Sequence, residues 1–309
     1  MKLEPKHYDV IFKEVIQMAE QYFNYNPDIQ ALYKKPVSIK FEVSSEYNKR
    51  PYSKRISDND FIVSISRDWL DELWNYANNL SQDSKFLNLI ESSIQSSESI
   101  RNYLFYFYVD LIVCHEWAHI FCGHLDFKNE CHRKNNTLFS DNEYKVAKAL
   151  ELEADSIAAR IILARLAANY ENISSLVYSS ANESFSSTSQ LWKLFSYSLV
   201  SIFNFSESEN STSHPIPIYR IYTSIMFAAG EIVTKPSIRK ELPSISDKES
   251  EVYGIFMSYV ALFYMEYKNY SQENFEYIMF DACDHCSKIG SLIKEIKLND
   301  YRLINYKWT

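Results

Sequence analysis

The sequence predicts a mostly helical α+β protein in which a small antiparallel sheet precedes a long buried helix. The chain has only four glycines in 309 residues and eight scattered prolines, so few segments can form tight hairpins. Hydrophobic residues make up 46% and aromatic residues 16%, which is enough to bury a large core. We expect one unit over 1–309, with a helical accessory region at about 245–309.

The sheet is predicted from the segment that follows the first helix. "HYDVIFKEVIQMAEQYF" (7–23) has apolar residues at helical spacing and ends before the turn-forming "NYNPD". "VSIKFEV" (37–43) alternates with period two, and "FIVSIS" (61–66) is rich in β-branched residues, so both are strand candidates. We expect them to pair across the polar linker 44–60, with 61–66 as an edge strand.

Only helices are predicted after residue 67. Their approximate ranges are 67–80, 86–97, 99–123, 144–170, 187–205, 216–230, 248–268 and 272–297. The segment "DFKNECHRKNNTLFSDNE" (126–143) is predicted to be a polar loop between two of them.

Charge and hydropathy exclude several classes of partner. The net charge is −8 and no run of lysine or arginine could form a phosphate-binding stripe, so nucleic acid is not an expected partner. The longest apolar stretches fall short of the roughly 20 residues that cross a bilayer or are interrupted by charge, so no membrane span is expected. The odd number of cysteines, five, and the charged start "MKLEPKHYDVIFKEV" favour a reducing, cytoplasmic location.

The stretch "CHEWAHIFCGH" (114–124) carries the first candidate site. On a helix His115 and His119 lie on one face, one turn apart, so their imidazoles can bind one Zn²⁺ together. Glu116 then lies beside the metal, where a general base can take a proton from a water molecule. Three polar residues can also share a helix turn by chance, so a third ligand is required.

That ligand is expected in "KVAKALELEADSIAARIILARLA" (145–167). Glu151 and Asp155 are four residues apart and share a helix face, whereas Glu153 points the other way. We assign Glu151 as the third ligand and Asp155 as the carboxylate that orients His115 through its non-ligating N–H. The alternative is a surface helix with a solvated acidic first turn.

Three motifs, in this order, resemble those of the Glu-zincin metallopeptidases, in particular the heat-shock and CAAX-prenyl protease group. They are "HEWAH" (115–119), "ELEAD" (151–155) and "HPIPIYR" (214–220). The resemblance spans about 100–225 and implies a helical zincin-like catalytic core, with Glu151 as zinc ligand and His214 facing the substrate carbonyl. Without a spanning helix, the chain is more similar to the Lit-type phage-exclusion peptidases, which cleave a translation factor. Peptidases that cleave phage or stress repressors also fit, so a regulator is an alternative target.

Several neighbouring residues receive other interpretations. The His-Pro pair at 214–215 would ordinarily be only the start of a helix. A hydrolase of this type also needs a hydrogen-bond donor opposite the zinc, for which His214 is the candidate. Arg220 could hold this segment in place by pairing with an acidic residue. His124 follows Gly123 at the expected helix end and is interpreted as a capping or rim residue. "CDHC" (283–286) is interpreted as two reduced thiols on a helix.

The sequence therefore predicts a soluble zinc-dependent endopeptidase that cleaves a specific cellular protein in anti-phage defence or a stress response. An extended peptide is expected to add to the strand 61–66. A non-catalytic zinc-stabilised binding module and a metal-free helical scaffold remain alternatives, although structural zinc sites usually have four protein ligands.

Overall fold

Helices dominate the fold, as the composition predicts. The computed structural model describes residues 8–46, 50–90, 96–134, 137–168, 188–206, 214–234 and 249–295. The helices within these ranges are α1 (Asp9–Glu20), α2 (Pro27–Leu32), α3 (Arg67–Leu80), α4 (Ser84–Leu89), α5 (Ser97–Phe121), α6 (His124–Lys134), α7 (Thr137–Ala168), α8 (Thr188–Phe205), α9 (Pro217–Thr234), α10 (Glu249–Leu262) and α11 (Gln272–Glu295). Short π-helical segments, Gln21–Tyr25 and Phe263–Tyr267, extend α1 and α10. The predicted mostly helical α+β class is confirmed.

The sheet has three strands in the described chain, β1 (Ser38–Ser44), β2 (Tyr52–Arg55) and β3 (Asp60–Ser66), in the order β1-β3-β2. β1 pairs with β3 in parallel, and β2 pairs with β3 antiparallel. The predicted antiparallel pairing of 37–43 with 61–66 is therefore wrong, and so is the edge position of 61–66.

The predicted pairing is wrong because the polar linker 44–60 contains the strand β2, which forms a hairpin with β3. The amide of Ile56 donates to the carbonyl of Asp60 across 2.8 Å, which turns the chain from β2 directly into β3. The hairpin occupies one edge of β3 and leaves the other edge to β1. β3 is buried from Val63 onward, as expected for a strand that has neighbours on both sides.

The polar segment 126–143 is largely helical, so the predicted loop is also wrong. Phe127 and Cys131, four residues apart on α6, pack against Val146 and Leu150 of α7. One apolar residue per turn is enough to anchor an otherwise polar helix on its neighbour. Part of the predicted helix 86–97 lies outside the described residues, since 91–95 are among those not described.

Helix α5 lies in the interior and determines the position of the candidate site. Ser96 caps its first turn by accepting from the amide of Ser99, and Gly123, with φ of 74°, ends it in the left-handed conformation that favours glycine. Trp117 stacks on Phe23 at 4.2 Å between ring centroids and donates to the hydroxyl of Tyr33. The N-terminal elements therefore fix one side of α5 and leave the histidine side to face α7.

Helix α7 packs closely against α5, and α9 packs against α7. Ala154, Ala158 and Ala159 are fully buried, which allows this close approach. A buried ion pair from Arg165 to Asp110, at 2.7 Å, joins α7 to α5. In the described ranges, none of the helices combines the length and the apolar character that a bilayer crossing requires.

Candidate active site

The two histidines of α5 and a carboxylate of α7 converge on one point. The Nε2 atoms of His115 and His119 are 3.1 Å apart. Oε2 of Glu151 lies 3.2 Å from Nε2 of His115 and 3.6 Å from Nε2 of His119. All three residues are buried, and their ligand atoms lie within 4.8 Å of one another, so the group could hold a metal ion.

The donor set of this group fits a metal ion such as zinc. Oε2 of Glu151 is buried and accepts no hydrogen bond of good geometry, despite the imidazole nitrogens around it. A buried carboxylate oxygen without a well-formed hydrogen bond costs free energy, and a cation between it and the two nitrogens would offset that cost. Two imidazole nitrogens and one carboxylate oxygen form a common ligand set of catalytic zinc.

His115 is held from its other edge by Asp155. The Nδ1 atom of His115 lies 2.8 Å from Oδ1 of Asp155. A carboxylate only accepts, so Nδ1 carries the hydrogen and Nε2 faces Glu151. Arg220 in turn donates from Nε to Oδ2 of Asp155 at 2.7 Å and from Nη2 to Oδ1 at 2.8 Å, and both residues are buried.

The electrostatics of the group favour a bound cation. Burial alone would lower the pKa of His115, but the Asp155 and Glu151 carboxylates outweigh it and raise that pKa to about 10. Burial would raise the pKa of Glu151, but the nearby His119 and His115 hold it well below its usual value. The pKa of Asp155 is lowered in the same way, because Arg220 and His115 outweigh burial. The carboxylates that stabilise a positive charge on the His115 ring would also stabilise a metal cation at the same place.

His119 is held from its other edge by His124. Their Nδ1 atoms are 2.7 Å apart, and Nε2 of His124 lies 2.8 Å from Oε2 of Glu153. His124 is fully buried, so its interpretation as a rim residue is wrong. Gly123 turns the chain back after α5, which places the His124 ring against His119 rather than in solvent.

A cleft of about 130 Å³ opens beside this group. Its polar side is formed by His115, Glu116, Asp155, His214 and Arg220, and its apolar side includes Trp69, Leu111, Ile112, Ile202 and Phe203. Nε2 of His214 lies 3.4 Å from Oε2 of Glu151, and 31% of this side chain is exposed, so a ligand in the cleft can reach it. Burial lowers the pKa of His214 to about 4, against the opposing effect of Glu151, so the ring is neutral at pH 7.

The seven residues selected from the sequence therefore lie around one centre. Residues that the sequence did not select are His124 and Glu153 behind His119, and Arg50, Pro51 and Trp69 in the cleft. The available signal for His124 was the glycine before it, because a left-handed residue reverses the chain. Cys283 and Cys286 lie on α11 as free thiols, as predicted.

A buried helix with His-Glu-x-x-His that faces a carboxylate on a second helix and opens onto a cleft is typical of metal-dependent hydrolases. The chain belongs to the Peptidase U49 family, the family of Lit-type peptidases. The family profile matches residues 61–231, more than half of the chain, from β3 to α9. Neither the curated proteins nor the solved structures contain a significant match. The predicted peptidase class is thus confirmed.

Proposed function

We propose that the chain is a zinc-dependent endopeptidase in which Glu116 is the general base. The observation that carries the proposal is the convergence of His115, His119 and Glu151 on one buried point at the edge of a cleft that Glu116 lines. Three protein ligands with an accessible side are typical of catalytic rather than structural zinc.

Zinc bound at this point would supply Lewis-acid polarisation of a carbonyl group and would lower the pKa of water to about 7. Glu116 follows His115 in the chain, and its carboxylate faces the cleft, where it can accept a proton from water and pass it to the leaving amine. His214, on the far side of Glu151, keeps one ring N–H when neutral. It can donate that hydrogen to the carbonyl oxygen as negative charge develops there.

The sheet supplies an expected binding edge for an extended peptide, but on a different strand from the one predicted. β3 is central, whereas β2 is the outer strand on its side of the sheet in the described residues. Arg50 and Pro51 lead directly into β2 and line the same cleft as Glu116. A peptide added to β2 would therefore pass the base, as in other strand-addition complexes.

The apolar wall of the cleft indicates the residue type next to the scissile bond. Trp69, Ile112 and Phe203 line the cleft beside the polar group, and its volume of about 130 Å³ suits one large side chain rather than a folded segment. We expect a peptide with an apolar side chain adjacent to the cleaved bond to bind there.

The family membership supports a peptidase. From the motif resemblance to Lit-type peptidases, we propose that the substrate is a specific cellular protein, a translation factor or a regulator, and that cleavage serves anti-phage defence or a stress response in the cytoplasm. Incubation of the zinc-loaded protein with host lysate, with and without phage components, should produce a small set of new protein termini. Rapid, indiscriminate cleavage of casein would contradict a specific substrate.

The decisive experiment compares glutamine substitutions at two glutamates of the site. Glu116→Gln should retain about one zinc per chain while proteolysis falls by about 10² to 10⁴, because the base is lost and the ligands are not. Glu151→Gln should lose the zinc itself, because a ligand is lost. Both are measured by metal analysis and by cleavage of a peptide library.

Glu98→Gln is the matched control, since Glu98 lies on the same helix with 59% of its side chain exposed. It should change neither zinc content nor proteolysis. Zinc loss in the Glu116 variant would make Glu116 a ligand and contradict its role as base. Zinc without proteolysis in the unsubstituted chain, against all library peptides, would favour the non-catalytic binding module.

A further inference from the structure

We propose that His124 and Glu153 form a hydrogen-bonded relay that positions His119 for metal binding. The inference deepens the proposed function and rests on it, because it concerns the support of one proposed ligand. His124 and Glu153 would be positioning residues, since neither faces the cleft. Their contacts are the 2.7 Å Nδ1–Nδ1 distance to His119 and the 2.8 Å distance from Nε2 of His124 to Oε2 of Glu153.

The direction of the relay follows from the chemistry of its two ends. At one end, His119 can bind a metal through Nε2 only if that atom carries no hydrogen, so Nδ1 carries it. At the other end, the Glu153 carboxylate only accepts, so Nε2 of His124 carries the hydrogen. Nδ1 of His124 is then the acceptor for Nδ1 of His119, and each of the two short contacts has one donor and one acceptor.

The reverse arrangement is incompatible with metal binding. If His124 carried hydrogens on both nitrogens, it would donate to Glu153 and to His119 together. Nδ1 of His119 would then be the acceptor, and its hydrogen would lie on Nε2, which points at His115 and Glu151. That hydrogen would occupy the position of the metal.

The relay mirrors the support of the other histidine. Asp155 fixes the His115 ring directly through Nδ1, whereas Glu153 fixes the His119 ring through an intervening imidazole. The two carboxylates and Glu151 lie within five residues of α7. Glu153 is only 2% exposed, so its charge must be matched inside the protein.

The same residues could instead hold a second metal ion, because Cys122, His124 and Glu153 also have ligand atoms within 4.8 Å of one another. The relay is favoured because 2.8 Å between Nε2 of His124 and Oε2 of Glu153 is the length of a hydrogen bond, and Nδ1 of His124 is engaged by His119. A second ion would have to displace the hydrogen from Nε2. Zinc stoichiometry distinguishes the two: the relay predicts one ion per chain.

The tautomers can be observed directly in the zinc-loaded chain. Long-range ¹H–¹⁵N correlation spectra of ¹⁵N-histidine-labelled protein should show His119 with hydrogen on Nδ1 and His124 with hydrogen on Nε2. This measurement needs no substitution in the relay, so it holds even if such variants fold poorly. Hydrogen on Nε2 of His119, two hydrogens on His124, or two zinc ions per chain would overturn the relay.

Two substitutions at Glu153 then test its positioning role. Glu153→Gln keeps an oxygen that accepts from His124 and should bind zinc within about threefold of the unsubstituted chain. Glu153→Leu removes the acceptor and should weaken zinc binding by about 10- to 100-fold in chelator competition. Glu143→Leu, at an exposed position of the same helix, is the matched control and should have no effect.

A double variant, His124→Leu with Glu153→Leu, should lose no more zinc affinity than Glu153→Leu alone, because the two residues act as one unit. Multiplied losses, or unchanged affinity in Glu153→Leu, would overturn the relay while leaving the zinc site intact. An unsubstituted chain that binds no zinc would overturn the proposed function, and the relay with it.

Discussion

Replacing Arg220 with methionine removes a buried guanidinium but keeps an unbranched side chain over the Phe203 ring, which lies 4.4 Å from the guanidinium carbon. Two charge-assisted hydrogen bonds to Asp155, of 2.7 and 2.8 Å, are lost. Arg220 is 8% exposed and Asp155 is 1% exposed, so solvent cannot replace them. Removing one partner of such a buried pair costs about 3–5 kcal/mol.

The assay is urea unfolding of the metal-free variant at pH 7, followed by chelator competition for zinc. We expect the free energy of unfolding to fall by about 3–5 kcal/mol and zinc affinity to fall by about 10- to 100-fold, because Asp155 no longer holds His115 firmly. Arg101→Met is the matched control. Arg101 also lies over an aromatic ring and pairs with a carboxylate, but at the surface, where such a pair contributes less than about 1 kcal/mol.

A second substitution distinguishes two causes of the lower free energy of unfolding, the unpaired charge on Asp155 and the lost packing of Arg220. Adding Asp155→Asn to Arg220→Met removes the buried negative charge, while the amide oxygen can still accept from Nδ1 of His115. The double variant should therefore be more stable than Arg220→Met alone. A cost for Arg220→Met no larger than that of the Arg101 control, or no recovery in the double variant, would refute the reasoning.

His214→Ala should retain zinc and lower kcat by about 10² to 10³ with little change in KM, because the donor acts only as negative charge develops; an unaltered kcat would return His214 to an ordinary residue before a helix. The metal-free protein should lose stability as pH rises from about 6.5 to about 10. The pKa of His115 is higher in the folded state than in the unfolded state. The protonated ring therefore contributes its full stabilisation below about pH 6.5, and this stabilisation is lost as the pH rises to about 10. Urea unfolding across that range checks this, and His115→Gln should remove the slope.

Local patterns in the sequence were sufficient for the long apolar helices, but not for the polar helix α6 or for the strand order. The apolar periodicity of α1 and the apolar stretch at the centre of α5 are properties of short segments, so the ranges of these helices were predicted to within a few residues. β2, "YSKR", has no alternation of apolar and polar residues that could have predicted it as a strand. The turn at Ile56, rather than the burial of its own side chains, sets its pairing with β3. The order of the strands depends on which edge of β3 the hairpin occupies. The sequence of a single segment does not contain this information.

In the candidate site, too, the residues within one helix could be predicted, but the contacts between helices could not. The spacing of His115, His119 and Glu116 is a property of one helix turn, and Glu151 with Asp155 repeats it on another, so these five could be selected from spacing. Sequence patterns do not show how one helix is rotated against its neighbour. Glu153 was therefore taken to point away from the site, whereas the close packing of α7 on α5 buries it behind the ligands, against His124.

The charge distribution around the ligands explains why one segment of α7 carries so many acids. Four carboxylates are buried here, Glu116, Glu151, Glu153 and Asp155, and one buried guanidinium, Arg220, pairs with one of them. When the histidines are neutral, as metal ligation requires, these groups carry an excess of negative charge in a region where each uncompensated ion costs several kcal/mol. A divalent cation at the point where His115, His119 and Glu151 converge would offset most of that excess. Metal binding at the proposed site would therefore also stabilise the packing of α5, α7 and α9.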